Sequence, residues 1–197
     1  MIAHLRGTVL EKHPNQVIVD VGGVGYDVVI PVSAFSSLPD KGSVVQLFIH
    51  THVREDLLAL YGFVSARDKA LFEKLITVSG IGPKLAITAL SGLSSEDLAT
   101  AIRSGSLEQL VRIPGVGKKT AERMVLELRD KLDLIGTAAQ ASSPKSAFNA
   151  TEEDVISALM NFGATRAAGE AALTKARSAT ESNDFDELFR RALKLVR

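Results

Sequence analysis

Two short stretches of the chain carry residue types whose spacing could do chemistry. Residues 75–86, LITVSGIGPKLA, recur as residues 110–121, LVRIPGVGKKTA, at a shift of 35 positions. The shift pairs Leu75 with Leu110, Gly80 with Gly115, Gly82 with Gly117, Lys84 with Lys119 and Ala86 with Ala121. In each copy the pattern predicts a helix that ends, a Gly-hydrophobic-Gly hairpin that turns the chain, and a second helix that begins. Glycine permits unusual backbone angles and leaves no side chain to block a close approach. The backbone of Gly80-Ile81-Gly82 and of Gly115-Val116-Gly117 is therefore expected to present amides to a ligand, with Ile81 and Val116 anchoring each turn through their side chains. The unpaired N–H groups and positive dipole end of the following helix suit a phosphate oxygen. Lys84, Lys118, Lys119 and, one turn further on, Arg123 add positive charge beside that site. A single Gly-x-Gly turn could equally be a tight helix connection. Two copies with the same lysine offset favour phosphate binding.

Other nucleotide-binding chemistry fails on residue type. Gly115-Val116-Gly117-Lys118-Lys119-Thr120 hints at a P-loop, but Arg112 stands where its first glycine belongs and Lys119 where a magnesium-ligating Ser or Thr belongs. The dinucleotide fingerprint fails too, because Thr120 replaces its third glycine. His50 and His52 share a face of a predicted strand, yet no third ligand accompanies them and no metal site is expected. Glu55 and Asp56 are adjacent, so on a strand they would point to opposite faces and make a poor catalytic dyad; a solvated turn is the simpler reading. Tyr26, Phe35, Phe48, Tyr61 and Phe63 could stack bases, but core or subunit contact explains them more simply. No cofactor motif is present, and no catalytic residue is assigned.

The elements that must position these residues fall into an α+β, multi-domain order. Residues 1–63 read as strands at Ile2–Leu10, Gln16–Val21, Tyr26–Pro31, Val44–Val53 and Leu57–Phe63. His13-Pro14-Asn15, Gly22-Gly23-Val24-Gly25 and Pro39-Asp40-Lys41-Gly42 supply the turns. Short strands at this spacing predict a small N-terminal OB-like β-barrel, with an SH3-like barrel also open. From about Ser65 the apolar period becomes helical, giving a central tandem helix-hairpin-helix domain over 64–136 in which Ser94 and Asp97 start one helix and Lys118–Leu132 form another. The small, polar, Pro-containing stretch at 137–150 reads as a flexible linker. Residues 151–197 read as a three-helix bundle, with Thr151 capping the first helix and Phe185, Leu188, Phe189, Ala192 and Leu193 on one face of the last.

Net charge is zero, which by itself argues against a polyanion partner. Its distribution argues the other way. The first 63 residues hold four Lys/Arg and six Asp/Glu, residues 64–136 hold eleven and nine, and the remainder eight and eight, so only the hairpin segment is net basic. The absence of cysteine suits a reducing compartment, and no apolar run is long enough for a bilayer, so a cytoplasmic location without membrane association is expected.

Over essentially its full length the sequence resembles the RuvA family of Holliday-junction-binding subunits. The resemblance is carried by Met1-Ile2 with Leu5-Arg6-Gly7, Val21-Gly22-Gly23-Val24-Gly25-Tyr26, Val53-Arg54-Glu55-Asp56, Leu60-Tyr61-Gly62-Phe63, Gly82-Pro83-Lys84-Leu85-Ala86 and Pro114 through Arg123. It implies a homotetramer, as one or two tetramers, that holds four-way junction DNA open and near-square without reading sequence, in recombination and repair. It also implies a hexameric ATPase motor of the RuvB type recruited by the C-terminal domain, and a RuvC-type junction nuclease as a further partner. Within the resemblance, Glu55 and Asp56 match an acidic pin at the junction centre, and Leu159 and Phe162 are candidates for motor contact, although core explains either equally. Carboxylates on a hairpin tip would repel phosphates from the centre while basic residues attract the arms.

Three function classes follow: a junction-binding accessory subunit, a DNA-processing enzyme or generic duplex-binding repair protein with the same hairpins, and a protein-interaction scaffold. An enzyme needs a carboxylate cluster or an activated nucleophile, and none has persuasive spacing. A scaffold has no need of Lys84, Lys118 and Lys119 beside the hairpins.

Overall fold

In a computed structural model, residues 1–138, 148–178 and 184–196 are described. The chain divides near residue 141 into two compact units. The first opens with strands β1 (His4–His13), β2 (Gln16–Val21) and β3 (Val24–Val29), a one-turn helix α1 (Val32–Phe35), and strands β4 (Val44–Arg54) and β5 (Leu57–Phe63). They close in the order β1-β2-β3-β5-β4, antiparallel throughout except for a short parallel β3–β5 seam at Val28–Leu60 and Val29–Tyr61. This is the OB-like arrangement. A register shift between Val9 and Glu11 bends the ten-residue β1, as closing a barrel from long strands requires.

Alternation along the strands explains the barrel's filling. Val17 and Val19 of β2, Leu47 and Ile49 of β4, and Val9 of β1 all point inward and are buried, while their neighbours face out. The β2–β3 turn is shorter than the sequence suggests: Val21 pairs directly with Val24, so Gly22 and Gly23, at φ 64° and 91°, make it alone. Two successive positive φ values match the right-handed twist of the strands, which is why glycine occupies both places.

Helices α2 (Ala66–Leu75), α3 (Pro83–Gly92), α4 (Ser95–Ser104), α5 (Leu107–Val111) and α6 (Lys118–Ala138) follow. The expected start at Ser94 is present, its hydroxyl accepting the Asp97 amide. Leu71, Phe72, Leu75, Leu98, Ile102, Leu110, Met124 and Leu128 form the helical core, and Tyr61 and Phe63 of β5 belong to the same cluster. Phe72 is fully buried among the Tyr61 and Phe63 rings, with centroids 5.2 and 5.0 Å away. Burial of one such ring stabilises by about 2–3 kcal/mol. Polar ties add to this contact: Val32 donates its amide to Ser91 Oγ at 3.0 Å, and Ser33 Oγ donates to the Leu90 carbonyl at 2.8 Å. The barrel thus seats the hairpin helices firmly.

The second unit packs α7 (Ala150–Asn161), α8 (Arg166–Ser178) and α9 (Phe185–Leu195) around Val155, Ile156, Leu159, Leu173, Ala176 and Leu188. Its first helix is capped by Asn149 and not by Thr151. Asn149 accepts the Glu152 amide while Glu152 accepts the Asn149 amide, a reciprocal box that Thr151, already inside the first turn, cannot make. Glu152 is buried, and Arg177 of α8 reaches it at 3.1 Å. Residues 139–147 of the expected linker lie outside the described residues, and α6 runs to Ala138, past the point where that linker was expected to begin.

Candidate nucleic-acid interface

The repeat in the sequence is a repeat in hydrogen bonds. After α2 the Val78 amide donates to the Leu75 carbonyl, Gly80 takes φ 92°, the Ile81 amide donates to Val78 at 3.0 Å, and the Ala86 amide donates to Gly82 at 3.0 Å. After α5 the Ile113 amide donates to Leu110, Gly115 takes φ 87°, the Val116 amide donates to Ile113 at 3.0 Å, and the Ala121 amide donates to Gly117 at 2.9 Å. Gly80 and Gly115 occupy the left-handed region that side chains disfavour, so the turn itself requires them.

Gly82 and Gly117 are different. Gly82 has an ordinary φ of −90° with ψ 173°, Gly117 is not among the positive-φ glycines, and a Cβ added to either would meet nothing within 4 Å. Neither local conformation nor packing within the chain calls for glycine there. The bare backbone suits a neighbour outside the chain.

Each of these glycines stands just before a helix, where a polar residue would ordinarily turn its side chain back onto the first amides. Glycine has no such side chain. The first helical amide bonds come from Ala86 and Ala121, so the N–H groups of Lys84 and Leu85 in one copy, and of Lys118, Lys119 and Thr120 in the other, precede any partner within the helix. Pro83, at the first position of α3, gives up only an amide that would have been unpaired. Lys84, Lys118 and Lys119 are exposed, and among the described residues none pairs with a carboxylate. Each copy therefore offers unspent donors and lysine charge at one helix start, the elements of an anion site.

Not every backbone amide expected at this site is free for a ligand. The side chains of Ile81 and Val116, each 5% exposed, anchor the turns, while their amides are spent on the Val78 and Ile113 carbonyls and are not free for a phosphate. Arg123 leaves its own hairpin: its Nη1 donates to the Ser79 carbonyl at 3.3 Å and contacts Ser79 Oγ at 3.4 Å, across 44 positions. Sequence periodicity carries no signal for that contact. Leu85 of the first copy reciprocates, its Cδ1 lying 3.0 Å from where a Cβ on Gly115 would be.

Glu55 and Asp56 form the two-residue tip between β4 and β5, where Arg54 pairs with Leu57. Both carboxylates are exposed, with exposed Val53, Leu57 and Leu58 beside them. At the base of the tip Arg54 Nε donates to His52 Nε2 at 3.1 Å. Desolvation first, then the Arg54 charge and then His50, lower the His52 pKa from its ordinary value. His50 is engaged by Glu73 of α2, Nδ1 to Oε1 at 3.1 Å, and no group of three His, Asp or Glu side chains among the described residues could hold a metal.

In the second unit Leu159 is fully buried, so as a direct partner contact it is corrected to core. Phe162, by contrast, is 72% exposed, with its ring 5.7 Å from Phe189, which stacks on Phe185 at 5.7 Å. No helix among the described residues is long and apolar enough to cross a membrane.

Residues 1–62 match the family model described as RuvA N terminal domain, and residues 72–130 match that of a SAM-like helix-hairpin-helix tandem. The Holliday junction branch migration complex subunit RuvA of Solibacter usitatus is 61% identical over 197 residues, covering all of both chains. Its counterpart in Acidobacterium capsulatum is 56% identical, again over the whole of both. That of Syntrophotalea carbinolica is 44% identical over all of this chain and 99% of its own.

Proposed function

The chain belongs to the RuvA family of Holliday junction branch migration complex subunits, and on that premise we propose that it grips the arms of a four-way DNA junction through its two glycine hairpins. The observation that carries this reading is the pair of hairpins matched bond for bond, each ending in a glycine that nothing inside the chain requires. Amides of Gly82, Lys84 and Leu85, and of Gly117, Lys118, Lys119 and Thr120, receive phosphate oxygens, and the lysine ammonium groups neutralise them. Contacts of this kind fix position on a duplex without reading bases, so binding is independent of sequence.

The acidic tip supplies the complementary half. Glu55 and Asp56 stand at the centre of a tetramer of barrels and repel phosphates there, which disfavours continuous duplex and favours the open crossing of a junction. The protein does no chemistry of its own. A RuvB-type ATPase, held by the second unit, drives branch migration in the cytoplasm, and a RuvC-type nuclease shares the junction. Phe162, exposed beside Phe189 and Phe185, is the residue of that unit best placed to meet the motor.

The test is a gel-shift comparison of a four-way junction with a linear duplex of equal length. A preference for the junction of tenfold or more, about 1.4 kcal/mol, is expected. Equal affinity for the two would reduce the protein to a general duplex binder.

A further inference from the structure

We propose that Arg123 is a positioning residue that braces the two hairpins against each other, and that it is not one of the phosphate ligands. The inference rests on reading the hairpins as a clasp for sugar-phosphate backbone. Arg123 belongs by sequence to the second copy, on the first turns of α6. Its Nη1 nevertheless reaches the first copy, donating to the carbonyl of Ser79 at 3.3 Å and touching Ser79 Oγ at 3.4 Å. A Cβ added to Gly80 would lie 3.8 Å from the same nitrogen, so the guanidinium sits directly against the left-handed corner.

The tie is one of two. From the opposite direction Leu85, on the first copy's α3, fills the space above Gly115, where an added Cβ would crowd Cδ1 at 3.0 Å. One copy thus sends an apolar side chain to its neighbour's corner and receives a cation in return. At the position 35 residues before Arg123 stands Thr88, whose hydroxyl turns back to the Lys84 carbonyl at 3.0 Å and makes no such crossing.

The separation of two phosphate sites decides whether one duplex can engage both. If the corners drift apart, the second contact no longer gains from the first, because its effective concentration falls. A brace between them raises affinity with no charge of its own in contact with DNA. Both contacts come from the one nitrogen Nη1, which stands a bond further from the backbone than a lysine Nζ would, so a lysine at this position falls short of Ser79.

Salt dependence separates brace from ligand. Each phosphate contact contributes about 0.9 to the slope of log affinity against log salt on duplex DNA. For Arg123→Met the expected result is a roughly five- to tenfold loss of duplex affinity at every salt concentration with the wild-type slope. Arg123→Lys, which keeps the charge, is expected to show the same loss. A slope shallower by about 0.9 in Arg123→Met, rescue by Arg123→Lys, or unchanged affinity in both variants would overturn the proposal.

A DNA-free measurement keeps this apart from the clasp reading. The chain has no cysteine, so spin labels can be placed at Lys84→Cys and Lys119→Cys alone. The distance distribution between them should broaden when Arg123→Met is added, and an unaltered distribution would also overturn the brace. A wild-type chain that binds DNA without salt dependence would instead count against the clasp, and the label distances would still decide the brace.

Discussion

At Glu55 and Asp56 the chain reverses in two residues with no positive φ, whereas at Gly80–Gly82 and Gly115–Gly117 it reverses through a left-handed glycine and enters a helix. Glu55, Asp56 and the glycines of both hairpins are exposed, and all three turns lie in the first unit. The β-turn holds its charge on side chains, two carboxylates, while the hairpins add lysines to charge already present in the backbone, the uncapped start of a helix. On the proposed reading the difference teaches how a chain of zero net charge can bind a polyanion: attraction and repulsion are sorted onto separate turns, and the sum over the sequence says nothing about either.

The contrast is broken most severely by reversing charge at the hairpins. Replacing Lys118 and Lys119 by Glu should weaken binding to junction and duplex alike, by roughly a hundredfold or more, because two charge-assisted contacts become repulsions. A salt titration should also show the slope fall by about 0.9 for each phosphate that is no longer neutralised. Retained affinity would mean that α6 does not face DNA.

A smaller effect should come from changing bulk without charge. Gly82→Ala with Gly117→Ala fits the protein sterically, so the melting temperature should move by no more than a few degrees. Affinity should nevertheless fall about tenfold, close to the worth of one hydrogen bond. Equal binding would show that the bare backbone at these positions serves some other end.

The smallest change is expected at the tip. Glu55→Gln with Asp56→Asn removes repulsion between groups that water and salt already screen, so duplex binding should tighten by about three- to fivefold. Junction binding should change less, which a paired gel shift on the two substrates can measure. An identical response on both would sever the tip from selectivity.

Much of this arrangement is legible in the sequence. Alternation located the five strands to within a few residues, and the 35-residue echo located both hairpins, because local periodicity and glycine chemistry act over short stretches. What escaped were effects of partners distant along the chain. The one-turn α1 is held by Ser91 and Leu90, 57–59 positions away, and Arg123 finds Ser79 across 44. Burial also reassigned roles that composition left open: Leu159 and Phe162 are three residues apart, yet one is fully buried and the other faces solvent. Capping was half readable, since Ser94 behaves as written, whereas Asn149 displaces Thr151 through the reach of a buried Glu152.

The missing caps at Gly82 and Gly117 set a trap for anyone seeking a sturdier version of this molecule. Serine or aspartate there is the first replacement that stability engineering would try, since a side-chain oxygen could occupy idle donors and the unfolded chain would lose some freedom. Such a variant would resist heat better and work worse. If the clasp is as proposed, ruggedness and grip compete for the same few hydrogens, and thermal screening alone would select against the function.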